Sequence, residues 1–222
     1  MGQLRKLIKA CLRVCLPVTR HLALAPRILL EEMPDHPSLF DEYRFMPGFG
    51  MERVPGGWLV GGEFYPDYLT VGGNTFAIRR TAAVFCHGNG LDIGAGYWPL
   101  PGSTPIDPNR GPGMQCSLED VPPGSQDYVF SSHTLEHIED WQGELDTWLS
   151  KVKPGGVLFL YLPHPECKLW HKDNPAMAEL HKWVPEPEII GEFLLSSGLS
   201  VGSRDDGPDH FYSFYVCAQK PA

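Results

Sequence analysis

The sequence contains no uninterrupted run of about 18 apolar residues, so no membrane-crossing helix is expected. It is also short of positive charge. Eighteen Lys and Arg face 27 Asp and Glu, and the formal charge of -9 argues against bulk nucleic-acid binding. Its six cysteines, Cys11, Cys15, Cys86, Cys116, Cys167 and Cys217, form no C-x-x-C pair. That spacing fits free thiols in a reducing compartment, with the cytoplasm as the expected location. No internal repeat and no long low-complexity tract is present. A chain of 222 residues with 42% apolar residues can form one domain with an extension.

The positive charge that exists is concentrated at the start. Residues 1–30 carry Arg5, Lys6, Lys9, Arg13, Arg20 and Arg27 and no acid. On a helix, Leu4, Ile8, Cys11 and Cys15 share one face, and Arg5, Lys9 and Arg13 share another. Pro17 ends this helix. Arg13 interrupts the apolar run, which speaks against a secretory signal peptide. Lys6 stands where myristoylation favours Ser or Thr. The helix over residues 1–17 either packs on its own domain or offers a surface for a partner or for weak peripheral membrane contact. Residues 34–72 are rich in Pro, Gly and aromatics, and "VPGGWLVGGEFYP" has the form of a hairpin or loop-rich cap. The expected organisation is an extension and cap over 1–72 and a catalytic domain over 73–222.

"NTFAIRRTAAVF" (74–85) predicts a helix capped at Asn74 or Thr75. From Gly90 the pattern is regular. "GLDIGAG", "TPIDP", "MQC", "DYVFSS" and "VLFLYLP" are expected strands, and "LSVGS" and "FYSFYVCAQ" close the chain. "GELDTWLSKV" has helical spacing, and "KPGG" is expected to stop that helix with a left-handed glycine cap. "PEPEIIGEFLLSSGL" begins with proline and ends at Gly198, the signature of another helix. Seven strands alternating with helices predict an α/β fold with a mostly parallel sheet. Ligands in such sheets bind at the carboxyl ends of the strands.

In this order, "LDIGAG" (91–96), Asp107, "DYVFSSHTLEHI" (127–138) and "KPGGVLFLYLP" (153–163) resemble the class I S-adenosylmethionine-dependent methyltransferases. The resemblance covers about residues 88–220 and implies a Rossmann-like fold whose last strand is antiparallel. It implies S-adenosyl-L-methionine as the cofactor. Gly94, Ala95 and Gly96 would let the backbone approach it closely. Asp92 would meet its amino acid end, and Asp107 its ribose hydroxyls. The backbone of the Ser117–Asp120 stretch, Ser117 and Leu118 included, would contact the adenine together with Glu119 or Asp120. Backbone carbonyls at Ser132 and His133 would receive the ammonium. One departure is evident. Pro99, Pro101 and Pro105 fall among the ten residues from Tyr97 to Ile106, so the usual helix between the first two strands is expected to be a turn or loop. The resemblance extends to the subgroup that O-methylates sugars and other small metabolites.

Rival readings share some of these residues. A dinucleotide-binding dehydrogenase requires G-x-G-x-x-G, but Pro99 stands at the third glycine. His133-x-x-Glu136-His137 matches a zinc metallopeptidase pattern, which needs both histidines on one regular helix. Here the motif begins at a strand end and precedes a cap at Asp140, so no metal is expected. A non-catalytic cofactor-binding module is the third reading. The loop after "VLFLYLP" carries His164, His171 and His181 and is expected to line the acceptor site. His164 is the first candidate base and His133 the second, acting on a small-molecule or glycan hydroxyl.

Overall fold

The computed structural model describes residues 50–70, 73–96, 98–107 and 117–222. The basic helix expected over residues 1–17, the strand expected at Met114–Cys116, and Cys11, Cys15 and Cys116 lie outside them.

Six strands form the main sheet: β4 (Gly90–Ile93), β5 (Thr104–Ile106), β6 (Gln126–Ser132), β7 (Val152–Pro163), β8 (Ser200–Asp205) and β9 (Ser213–Gln219). Their spatial order is β5-β4-β6-β7-β9-β8. The pairs β4–β5, β4–β6 and β6–β7 are parallel, whereas β9 runs antiparallel to both β7 and β8. This is the expected α/β arrangement with an antiparallel last strand. Among the described residues the sheet has six of the seven strands expected. A separate antiparallel sheet, β1 (Met51–Val54), β2 (Gly57–Val60) and β3 (Glu63–Pro66), occupies the stretch read as a hairpin or cap.

The sheet separates two layers of side chains, as period-2 alternation requires. On β7, Phe159 and Tyr161 point to one face, while Leu158, Leu160 and Leu162 point to the other, and all five are fully buried. The first face is covered by Ile78 and Ala82 of α1 (Asn74–Phe85) and by Trp58 and Tyr65 of the small sheet. The second is covered by Leu145, Trp148 and Leu149 of α2 (Trp141–Lys151) and by Ile190 and Leu194 of α3 (Pro187–Ser196). A strand apolar throughout is what burial on both faces demands.

Helix ends follow local chemistry, with two differences from expectation. Asp140 caps α2, its carboxylate accepting from the Gly143 amide at 3.1 Å, and α3 starts at Pro187. Gly73, not Asn74 or Thr75, precedes α1. It offers no side-chain cap, and both polar residues lie buried within the helix. "KPGG" does not cap α2. The helix ends at Lys151, and Lys153–Gly156 belong to β7 opposite Asp127, where the register with β6 shifts. Gly155 takes a φ of +76° there, and a β-carbon at Gly156 would lie 2.8 Å from the Asp127 carbonyl. The glycines serve a strand irregularity, a context that short-range spacing cannot distinguish from a helix stop.

Cys86, Cys167 and Cys217 are free thiols. Burial pushes the Cys167 and Cys217 thiols up to about 12, so both behave as small core residues. The double-sided burial of β7 makes Leu160 a sensitive position. Leu160→Ala is expected to destabilise the fold by about 2–5 kcal/mol, measured by denaturant unfolding. A loss below about 1 kcal/mol would contradict the packing described.

Candidate active site

Parallel pairing brings the carboxyl ends of β4, β5, β6 and β7 to one edge of the sheet. The glycine turn after β4 is tied to the end of β5. Gly94 and Ala95 donate their amides to the Ile106 carbonyl at 2.7 and 3.4 Å, and the Gly96 amide donates to Asp107 Oδ2 at 3.0 Å. Asp92 lies beneath the turn, 1% exposed, and its Oδ2 accepts from the Leu100 amide at 2.6 Å. A carboxylate accepting backbone amides is a strong, charge-assisted brace. No helix intervenes between β4 and β5 among the described residues, as the prolines require.

The same turn meets the end of β6. Gly94 has a φ of +75°, and a β-carbon there would collide with the Thr134 side chain. Thr134 in turn donates to the Ser132 carbonyl at 3.2 Å, and Ser131 Oγ donates to the Ile93 carbonyl at 2.8 Å. Above Gly96 the space is open, the nearest atom to an added β-carbon being the Gly94 carbonyl at 3.9 Å. Ser132 Oγ is buried and has no hydrogen-bond partner among the described residues. An open cradle, a carboxylate beside it and an unsatisfied hydroxyl form a donor and acceptor set that fits a ribose- and ammonium-bearing cofactor. Ser117 and Leu118 sit apart from this turn in the chain. Ser117 caps the short 3-10 turn Leu118–Asp120, its own amide donating to Asp120 Oδ2 at 3.2 Å. Leu118 packs partly on the second core layer.

The H-x-x-E-H motif is no helix. His133 has a φ of +50°, and only Leu135–His137 form a 3-10 turn. The regular helix needed by a metallopeptidase is therefore missing. The loop after β7 folds back onto this turn. The Lys182 amide donates to the Glu136 carbonyl at 2.8 Å, and Trp183 Nε1 donates to the Leu135 carbonyl at 2.9 Å. Trp183 also stacks on Trp141, with ring centroids 4.5 Å apart. This docking brings His181 against His137, ring centroids 4.7 Å apart.

Glu136 lies at the centre of the cluster with 0% exposure, and neither carboxyl oxygen has a hydrogen-bond partner among the described residues. Burial pushes its carboxyl up to about 8. His133 and His137 approach Glu136 Oε1 at 3.6 and 3.9 Å. Burial holds His133 and His137 below the ordinary histidine range and takes His181 down to about 4, so the three rings are neutral at pH 7.

His164, the first candidate base, stands outside this cluster. It follows β7, its amide donates to the Tyr212 carbonyl at 2.8 Å, and its ring faces Phe214. Its Nδ1 accepts the Glu166 amide at 3.2 Å. The neutral ring then carries its proton on Nε2, where it can donate but not accept. His133, the second candidate, is enclosed, its Nε2 bonded to Ser213 Oγ at 2.8 Å and its side chain 9% exposed. Thr134, Ser213 and the contact of His181 with Glu136 were not readable from spacing. Only the histidine-rich composition of the loop after β7 hinted at the last.

A family model described as "Methyltransferase domain" matches residues 86–194. No curated protein matches the sequence. Solved structures share the fold. A methyltransferase of Haloferax volcanii, in complex with the Trm112 activator, is 14% identical with a TM-score of 0.51, over 67% of this chain and 89% of its own. One from Thermotoga maritima is 14% identical with a TM-score of 0.51, over 66% and 93%. One from Mesorhizobium loti is 16% identical with a TM-score of 0.51, over 67% and 99%. With the glycine turn, the acid after β5 and the antiparallel last strand all in place, residues 86–194 match a methyltransferase domain, and the sheet has the Rossmann-like fold of S-adenosylmethionine-dependent methyltransferases.

Proposed function

We propose that the protein methylates a hydroxyl group of a small molecule or sugar precursor, at the carboxyl ends of β4–β7. The observation that carries the small-molecule reading is the loop after β7, which bonds back onto the 135–137 turn and covers that end of the sheet. A covered site favours a compact acceptor over a macromolecular surface.

When bound, S-adenosylmethionine supplies a methyl group already activated on sulfur. The chain's work is therefore mostly alignment and exclusion of water. Gly94, Ala95 and Gly96 allow close backbone approach, with Asp92 bracing the turn from below. Asp107 receives the ribose hydroxyls, and Ser117 and Leu118 border the adenine. Ser132 and His133 offer backbone carbonyls to the ammonium. His164 orients the acceptor by donating from Nε2. The acceptor class is tested by offering hydroxyl and amine compounds with labelled cofactor. Methylation confined to amines overturns the O-methylation reading, and cofactor binding without transfer to any acceptor favours a non-catalytic module.

Two variants follow from these roles. Asp107→Ala removes a ribose partner and the Gly96 tether together. It is expected to weaken S-adenosylhomocysteine binding by about 1.5–3 kcal/mol, read by calorimetry on a folded variant. Unchanged affinity would remove Asp107 from the cofactor site. His164→Ala is expected to reduce kcat/KM by about tenfold, chiefly through the acceptor's KM, as loss of one orienting hydrogen bond. A fall in kcat of about a hundredfold or more would instead make His164 the base.

A further inference from the structure

We propose that Glu136, His137 and His181 form a binding site for a borderline divalent transition-metal ion, zinc foremost. Ligand atoms of the first three residues all lie within 4.8 Å of one another. His133 Nδ1 lies 3.6 Å from Glu136 Oε1, beside this group rather than within it. Ligands held at about 2.1 Å around a tetrahedral ion are separated by roughly 3.4 Å, so the three draw inward to bind it and leave the fourth position to water or another small ligand.

The hydrogen bonds already orient these rings. His137 Nδ1 donates to the Leu180 carbonyl at 3.1 Å, a partner that can only accept. In the neutral ring this leaves the lone pair on Nε2, the nitrogen nearest Glu136. Ser213 Oγ donates its own proton to the Phe211 carbonyl, so it accepts from His133 Nε2. The His133 lone pair is then on Nδ1, again the nitrogen nearest Glu136. His133 and His137 thus each have an outer partner, the arrangement that fixes tautomer and orientation in metal-ligating histidines.

Without a cation this cluster is poorly satisfied. The lone pairs of His133 and His137 face a carboxyl group whose two buried oxygens have no hydrogen-bond partner among the described residues. One carboxyl proton can satisfy one of these contacts. A divalent ion takes up the His137 lone pair and compensates the buried carboxylate at once. The ligand set mixes imidazole and carboxylate, which suits zinc and its first-row neighbours better than magnesium or calcium. The His137 side chain is 41% exposed, which provides an entry path, and three protein ligands leave one coordination position free. That the open position also takes an oxygen of the methyl acceptor rests on the proposed function; the ion site itself does not. The absence of a regular helix removed the peptidase reading, yet His181, supplied by the loop after β7, replaces the geometry a helix would have given.

The test uses the full-length protein, stripped with a chelator and verified as folded by circular dichroism. Co2+ is titrated in as a spectroscopic probe, and Zn2+ is used to displace it. The expected result is a d–d absorption band that saturates at one ion per chain. His137→Ala, whose side chain is partly exposed and should fold, and His181→Ala are expected to weaken binding by about tenfold or more. His171→Ala, outside the cluster, should bind like the wild type. A folded wild type with no saturable band, or a His137→Ala variant with wild-type affinity, overturns the site. S-adenosylhomocysteine calorimetry on the same samples separates the two ideas. Ion binding without cofactor binding refutes the methyltransferase site and leaves the metal site standing.

Discussion

A β-carbon at Gly94 would overlap the Thr134 side chain, and this close approach sets the geometry of the site. Gly94 must be glycine twice over, for its φ of +75° and for the space. The contact locks the turn after β4 to the end of β6. The amides of Gly94 and Gly96 then lock it to β5, through the Ile106 carbonyl and the Asp107 carboxylate. Three parallel strands thereby present their carboxyl ends as one rigid edge. The usual helix after such a turn would supply much of this rigidity. Here Asp92 supplies it, holding the Leu100 amide from beneath.

The second element of the site is assembled from far apart in the chain. The loop after β7 reaches the 135–137 turn through backbone and indole hydrogen bonds, and Trp183 stacks on the first residue of α2. These contacts both cover the sheet edge and deliver His181 to Glu136. A buried carboxyl without hydrogen bonds is costly in any fold. Its persistence beside three neutral imidazoles at a functional edge makes this cluster the chemically most loaded part of the molecule.

Much of the fold was legible in the sequence for a simple reason. "VLFLYLP" is apolar at every position, and only a strand buried on both faces wants that. The prolines at 99, 101 and 105 forbade a helix, and none forms between β4 and β5 among the described residues. "KPGG" misled, because glycines that relieve a helix end and glycines that relieve a strand irregularity look alike. The H-x-x-E-H motif was legible in its local part, since a strand before it and a cap after it leave room for one turn only. Its partner was not. His137 bonds to the Leu180 carbonyl 43 positions away, and no spacing rule anticipates that contact. The tautomer of His164 was equally hidden, because it depends on the Glu166 amide rather than on residue type.

The central claim is that the glycine turn and the neighbouring strand ends hold the cofactor. The most direct measurement is a titration of isotope-labelled protein with S-adenosylhomocysteine, followed by backbone amide resonances. The account predicts saturable shifts at Gly94, Ala95, Gly96, Asp107 and Ser132, with the core of β7 and β9 little changed. Saturation with these five amides unmoved, or no saturable shift in folded protein, would contradict it.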